Sequence, residues 1–143
     1  MASELKVDKF TGVTTAGSID VTGEGNSTTT NLQQGLCKVW CSFDQDSSGH
    51  PLFDSINVAS TADGGTGITV ITFTNNMGND DYADLLNGTG QNEGGMSGGN
   101  YSVSNHSGGG QKQTSQVGTD VRDSAGNNRD IMDVRVTIHG DLA

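Results

Sequence analysis

Leu36-Cys37-Lys38-Val39-Trp40-Cys41-Ser42-Phe43 is the densest run of large apolar side chains in a chain otherwise dominated by Gly, Thr, Ser, Asn and Asp. Read with a period of two, Cys37, Val39, Cys41 and Phe43 share one face, and Leu36, Lys38, Trp40 and Ser42 share the other. Alternation with β-branched and aromatic members predicts a strand with one buried face. Cys37, Val39, Cys41 and Phe43 are its expected core residues, with Trp40 packed in a core or subunit interface. Cysteines four apart on a strand lie roughly 13 Å from each other, at about 3.3 Å per residue. A disulfide needs Cα atoms within about 7 Å, so both thiols read as reduced packing residues.

Downstream, Asp44 to Pro51 reads as a turn, and Leu52 to Val58 as a strand with Leu52, Ile56 and Val58 on one face and Phe53 on the other. Asp63-Gly64-Gly65-Thr66-Gly67 is a hairpin signal leading into Ile68 to Thr74, whose apolar residues on both faces suggest an interior strand. Asn75 to Asp81 reads as a loop with room for one helical turn, and Tyr82 to Leu86 as a strand. Asn87 to Gly110 reads as long Gly-rich loops around a short strand near Tyr101 and Val103. Gln113 to Val121 is weakly strand-like, and Asp123 to Asn128 turns the chain. The last strand, Ile131 to His139, places Met132, Val134, Val136 and Ile138 on one face. Six to eight short strands with turns between them predict an all-β fold: an antiparallel β-sandwich or jelly-roll-like head spanning 36–143.

Upstream, residues 1–35 read as an extended N-terminal attachment arm. Ser3 to Phe10 and Ser18 to Thr22 alternate weakly, and Leu5, Val7, Phe10, Ile19 and Val21 are the arm's candidate contact residues. Such fragments are too short and polar to stand alone and suit a chain that runs along a neighbour.

Only 31% of the 143 residues are hydrophobic and 5% aromatic, which is thin for a self-sufficient core. Self-association is the expected remedy. The net charge of −10, from 17 acidic against 7 basic residues, argues against nucleic acid as a partner, since phosphate binding needs clustered cations. No stretch approaches the about 20 apolar residues of a membrane helix, and the N-terminus lacks the pattern of a signal peptide, so no membrane insertion is expected.

The motifs that suggest chemistry each have a plainer reading. Asp44-Gln45-Asp46-Ser47-Ser48-Gly49 begins like a calcium loop, but Ser55 stands at position 12 where a bidentate acid is required; a turn is expected. Asp80, Asp81 and Asp84 read as a solvated acidic turn, and His50, His106 and His139 have no neighbours at metal-ligand spacing. The Gly-rich stretches lack the lysine and following helix of a phosphate loop. Nothing marks a nucleophile with its base or a pair of catalytic carboxylates. Tyr82, Tyr101 and Trp40 could stack on a sugar if exposed. No catalytic residue, cofactor or metal is therefore expected.

Taken together, SELKVDKFTG, AGSIDVTGEGNSTTTNLQQGLCKVWCSFD, DSINVAS-TADGGTGITVITFTNNMGNDDYA and the closing VRVTIHGD resemble small virion surface and fibre-type proteins of tailed bacteriophages, especially those of marine bacteria. The resemblance covers most of the chain in order; Asn87 to Ser124 departs from it. It implies a particle-building role, usually as a homotrimer, with the arm attached to the major capsid protein or other virion proteins. The location implied is the virion surface, after assembly in the bacterial cytoplasm. With 143 residues there is room for an arm and a head, which favours capsid decoration or cementing. The alternative is a tail-fibre or head-fibre tip binding a host surface glycan or receptor.

Overall fold

The computed structural model describes residues 4–13, 19–23, 25, 27–90, 101–108 and 112–143. The fold is nearly all β, with antiparallel sheets. It divides into two compact units, Met1–Leu36 and Cys37–Ala143.

In the first unit, β1 (Asp20–Thr22) pairs antiparallel with β2 (Thr29–Asn31). A single helical turn, α1 (Leu32–Gly35), follows at once. Asn31 caps it, its side-chain oxygen accepting from Gln34 N at 3.0 Å, which satisfies a donor the helix start would otherwise orphan. The segment expected to be extended throughout thus holds a hairpin and a helical turn, because Asn31 supplies the cap. Glu4–Val13 carries no strand or helix.

The second unit contains β3 (Cys37–Phe43), β4 (Leu52–Ile56), β5 (Val58–Gly65), β6 (Ile68–Phe73), β7 (Ala83–Thr89), β8 (Ser102–Asn105), β9 (Gln116–Arg122) and β10 (Asp133–His139). One four-stranded sheet has the order β4-β3-β10-β7 and the other β5-β6-β9-β8. Both contribute to one core: Val39, Cys41, Phe43, Val134, Val136 and Ile138 from the first, Ile71, Phe73, Val117 and Val121 from the second. The predicted inner face of β3 is therefore buried, with Cys37 half-buried at its end. β6 is an interior strand, as its apolar pattern suggests.

Four expectations need correction. Leu52 to Val58 is two strands, because Asn57 adopts a left-handed conformation (φ 59°) that Asn tolerates better than branched residues. The chain there leaves the first sheet for the second. Asn57 Oδ1 accepts from Asn75 N at 2.7 Å, and Asn57 Nδ2 donates to Asn75 O at 3.0 Å, fastening this crossing to the β6–β7 crossing. Consequently Ile56 faces solvent, while Leu52 and Val58 pack on the core. Second, Met132 is exposed and Ile131 buried, because β10 begins only at Asp133 and its alternation cannot be run back through the preceding bend. Third, the Asn75–Asp81 loop holds an isolated bridge from Met77 to Leu142 rather than a helical turn. Fourth, β7 continues through Asn87, Gly88 and Thr89 because β10 supplies a partner for each. Of the Gly-rich stretch after it, 91–100 and 109–111 lie outside the described residues.

The β5–β6 hairpin turns at Thr66-Gly67, and Gly67 is required there. Its φ is 76°, and a Cβ would lie 2.6 Å from Val121 O. Gly67 N donates to Asp130 Oδ1 at 2.6 Å, while Val121 N donates to Gly67 O at 2.8 Å.

Candidate functional site

The register of the first sheet sets its outward face row by row. Trp40 of β3 lies opposite Ile56 of β4 and Thr137 of β10, and Thr137 lies opposite Leu85 of β7. Ile56, Trp40, Thr137 and Leu85 therefore form one row across all four strands, about 14 Å wide at the spacing of adjacent strands. Trp40 is half-buried, and the row's ends are open: Ile56 is 50% and Leu85 70% exposed. Two residues along runs a polar row, Asp54, Ser42, Arg135 and Asn87. Asp133 orders it, accepting from Ser42 Oγ at 2.9 Å and from the Arg135 guanidinium. At the β3–β4 irregularity Phe53 stands exposed.

Trp40 is thus the outward residue of β3 and not a core residue, because strand alternation turns it away from Val39 and Cys41. Tyr82, considered as a sugar platform, is buried against Phe73 with ring centroids 6.1 Å apart. Its hydroxyl donates toward Gln113 O and Gln116 O at 3.1 Å. Tyr101 packs half-buried on the core. Of the three candidate platforms only Trp40 lies on an outer face. In the arm, Leu5, Val7, Phe10 and Val21 are exposed, as is Val13, while Ile19 is half-buried.

Three polar clusters went unrecognised in the sequence. Gln45, His50 and Thr69 are all buried, His50 at 3% and Thr69 at 0% exposure. Gln45 Nε2 donates to Thr69 Oγ1 at 3.0 Å, and Thr69 Oγ1 lies 2.8 Å from His50 Nδ1. His50 Nε2 lies 3.7 Å from Asp63 Oδ1. The sequence Thr69–His50–Asp63 has the order of a nucleophile, base and orienting acid, but a sealed hydroxyl already engaged with Gln45 is a bolt between a loop and β6. The left-handed pair Gly49-His50 (φ 79° and 48°) folds His50 inward from the segment read as the Asp44 to Pro51 turn. Asp44 spends its carboxylate on that turn, accepting from Asp46 N, Ser47 N and Ser47 Oγ.

In the second cluster Asp120, buried on β9, takes two bonds from Arg122 at 2.8 and 3.1 Å, with His106 Nδ1 3.7 Å away. The Arg122 guanidinium holds the Asp120 carboxyl below the usual carboxylate range. In the third, Lys112 Nζ reaches Asp84 at 3.0 Å and the Tyr82 carbonyl, and lies 4.5 Å from the Tyr82 ring centroid. Burial, aided by Asp84, pushes the Tyr82 phenol up to about 12. Both groups tie loops to strands.

The thiols differ in the same structural terms. Cys41 is buried in the core and its thiol is pushed up to about 12 by desolvation, whereas Cys37 is half-buried. The thiolate is the reactive species. A thiol reagent at pH 8 is therefore expected to modify Cys37 in the native protein and Cys41 only after denaturation. Equal native rates, measured by mass spectrometry of the labelled peptides, would contradict this core placement.

Among the described residues no three His, Cys, Asp or Glu side chains converge to hold a metal ion, and no helix is long and apolar enough to cross a membrane. Comparison with protein-family profiles, with curated proteins and with solved structures yields no match.

Proposed function

We propose that this chain is a structural protein of a tailed-bacteriophage particle, a homotrimer on the virion surface that decorates or cements the capsid. In this reading the two four-stranded sheets are the faces of a β-sandwich head of jelly-roll type, and Met1–Leu36 is the attachment arm. The observation that carries the proposal is the pairing of two exposed apolar sets in one thin-cored chain: Leu5, Val7, Phe10 and Val13 on the arm, and Phe53, Ile56 and Leu85 about Trp40 on the head. Single exposed apolar residues are ordinary, but clustered ones mark interaction surfaces. The resemblance of the sequence to virion surface proteins supplies the particle as the setting. The action is adhesive: individually modest contacts with the major capsid protein and with sister copies gain strength through repetition at symmetric positions. No catalytic group, cofactor or nucleic acid enters.

Quantitative mass spectrometry of purified particles tests the reading. Hundreds of copies per particle are expected, and deletion of residues 1–30 is expected to leave a folded head that no longer attaches. A handful or dozens of copies would favour a fibre tip engaging a host glycan. Absence from the particle would overturn the proposal.

A further inference from the structure

Charge and register together point to a partner for the free edge of β4. The described basic side chains of the head are already committed: Lys112 to Asp84, Arg122 to Asp120, Arg129 to Asp123 and Arg135 to Asp133, with Lys38 buried. Asp54, exposed on the edge strand β4, has no cation among the described residues; it accepts from the adjacent Ser55 N at 2.8 Å. The arm holds the uncommitted cations. Lys9 has no partner among the described residues, and Lys6 meets Glu4 at 3.4 Å with both side chains mostly exposed, a pairing worth little.

β4 is hydrogen-bonded on one side only, to β3, so its other side presents backbone donors and acceptors to an added strand. In an extended arm segment Leu5, Val7 and Lys9 fall on one face. On β4, Ile56 and Asp54 share the outward face with the same two-residue spacing. Antiparallel placement of Val7 opposite Ile56 puts Lys9 opposite Asp54 and Phe10 opposite the exposed Phe53. Parallel placement of the same face would instead set Val7 against Asp54 and Lys9 against Ile56. One direction thus satisfies the apolar, ionic and aromatic cross-strand pairs together.

We propose that the Glu4–Phe10 segment of one copy adds as an antiparallel strand to the β4 edge of a second copy, in the register Val7–Ile56 and Lys9–Asp54. This extends the row of Ile56, Trp40, Thr137 and Leu85 by one strand. It rests on the self-association reading above and names the surface responsible. Arm-to-edge contact is heterologous, and it closes into a ring of three when the rotation permits.

Two experiments on the full chain test it. Asp54→Lys and Lys9→Glu are each expected to raise the dissociation constant of the oligomer about tenfold by sedimentation velocity, and the double reversal to restore most of it. Asp81→Lys, a reversal at an exposed residue in the loop before β7, the opposite edge of the same sheet, is the control for net charge. Separately, the pair Val7→Cys and Ile56→Cys in a Cys37→Ser background is expected to form intermolecular disulfides on mild oxidation. Directly opposed residues on antiparallel strands have Cα atoms about 4.5–5.5 Å apart, inside disulfide reach. A monomeric wild-type chain, a double reversal no better than the singles, or cross-links confined within one chain would each overturn the proposal. Failure here with hundreds of copies still on the particle would leave the particle role standing and remove only this contact.

Discussion

Val39→Asp produces a chain that does not fold: no cooperative thermal transition, no dispersed amide spectrum, and accumulation in the insoluble fraction. Val39 is fully buried at the centre of β3, the strand whose inner face meets core residues of both sheets. A carboxylate there has no cation, and the alternative of protonation leaves a polar group among Cys41, Phe43, Val136 and Ile138. Burial of an unpaired ionised group costs far more than the about 5–15 kcal/mol that holds a domain folded. Phe43→Asp acts in the same way from the other end of the strand. Trp40→Asp is the contrast, since it lies one residue away on the outward face; its expected effect is a modest loss of stability with the fold retained. A soluble, native-like Val39→Asp would show that β3 is turned the other way.

That contrast also marks how far the sequence could be read. The inner face of β3 was legible because its four alternating residues are all apolar, while Lys38 and Ser42 interrupt the apolar residues of the other face. The Asp63–Gly67 turn was legible because it needs left-handed backbone, which glycine supplies. The β4–β5 crossing was not, since Leu52 to Val58 alternates plausibly as one strand. The break depends on Asn57 bonding to Asn75, eighteen residues away. Met132 was misplaced for a related reason: alternation in sequence continues past the point where pairing with β3 and β7 begins. The outward row of Ile56, Trp40, Thr137 and Leu85 was beyond reach altogether. It draws one residue from each of four strands, so no local window contains it, and it exists only once register is known. Lys38 and Gln45 show the limit from the polar side, since both are buried where composition alone would expose them.

The bolt formed by Gln45, His50 and Thr69 leads to the second prediction, Thr69→Val. Threonine and valine have nearly the same shape, so the substitution removes a hydroxyl without opening a cavity. It strands Gln45 Nε2 and His50 Nδ1, which meet at Thr69 Oγ1, in a region where Gln45 Oε1 already has no hydrogen-bond partner among the described atoms. Each stranded buried group costs about 1–3 kcal/mol, so the expected loss is about 2–6 kcal/mol. For a unit of this size that corresponds to a fall in Tm on the order of 10–20 °C. Thr119→Val provides the control within the same core. Thr119 is equally buried, but its hydroxyl makes only a long 3.5 Å bond to Thr69 O, and no side chain depends on it; the expected loss is below about 1 kcal/mol. Gln45→Met combined with Thr69→Val removes one of the stranded groups, so the double variant should be more stable than the sum of the single losses implies. Thermal unfolding of the wild type, Thr69→Val, Thr119→Val, Gln45→Met and the double variant measures all three effects. Equal Tm values for Thr69→Val and Thr119→Val would mean that the connection from loop to β6 carries no more than an ordinary threonine contact, and that the inward turn of His50 is held by the Gly49-His50 backbone alone.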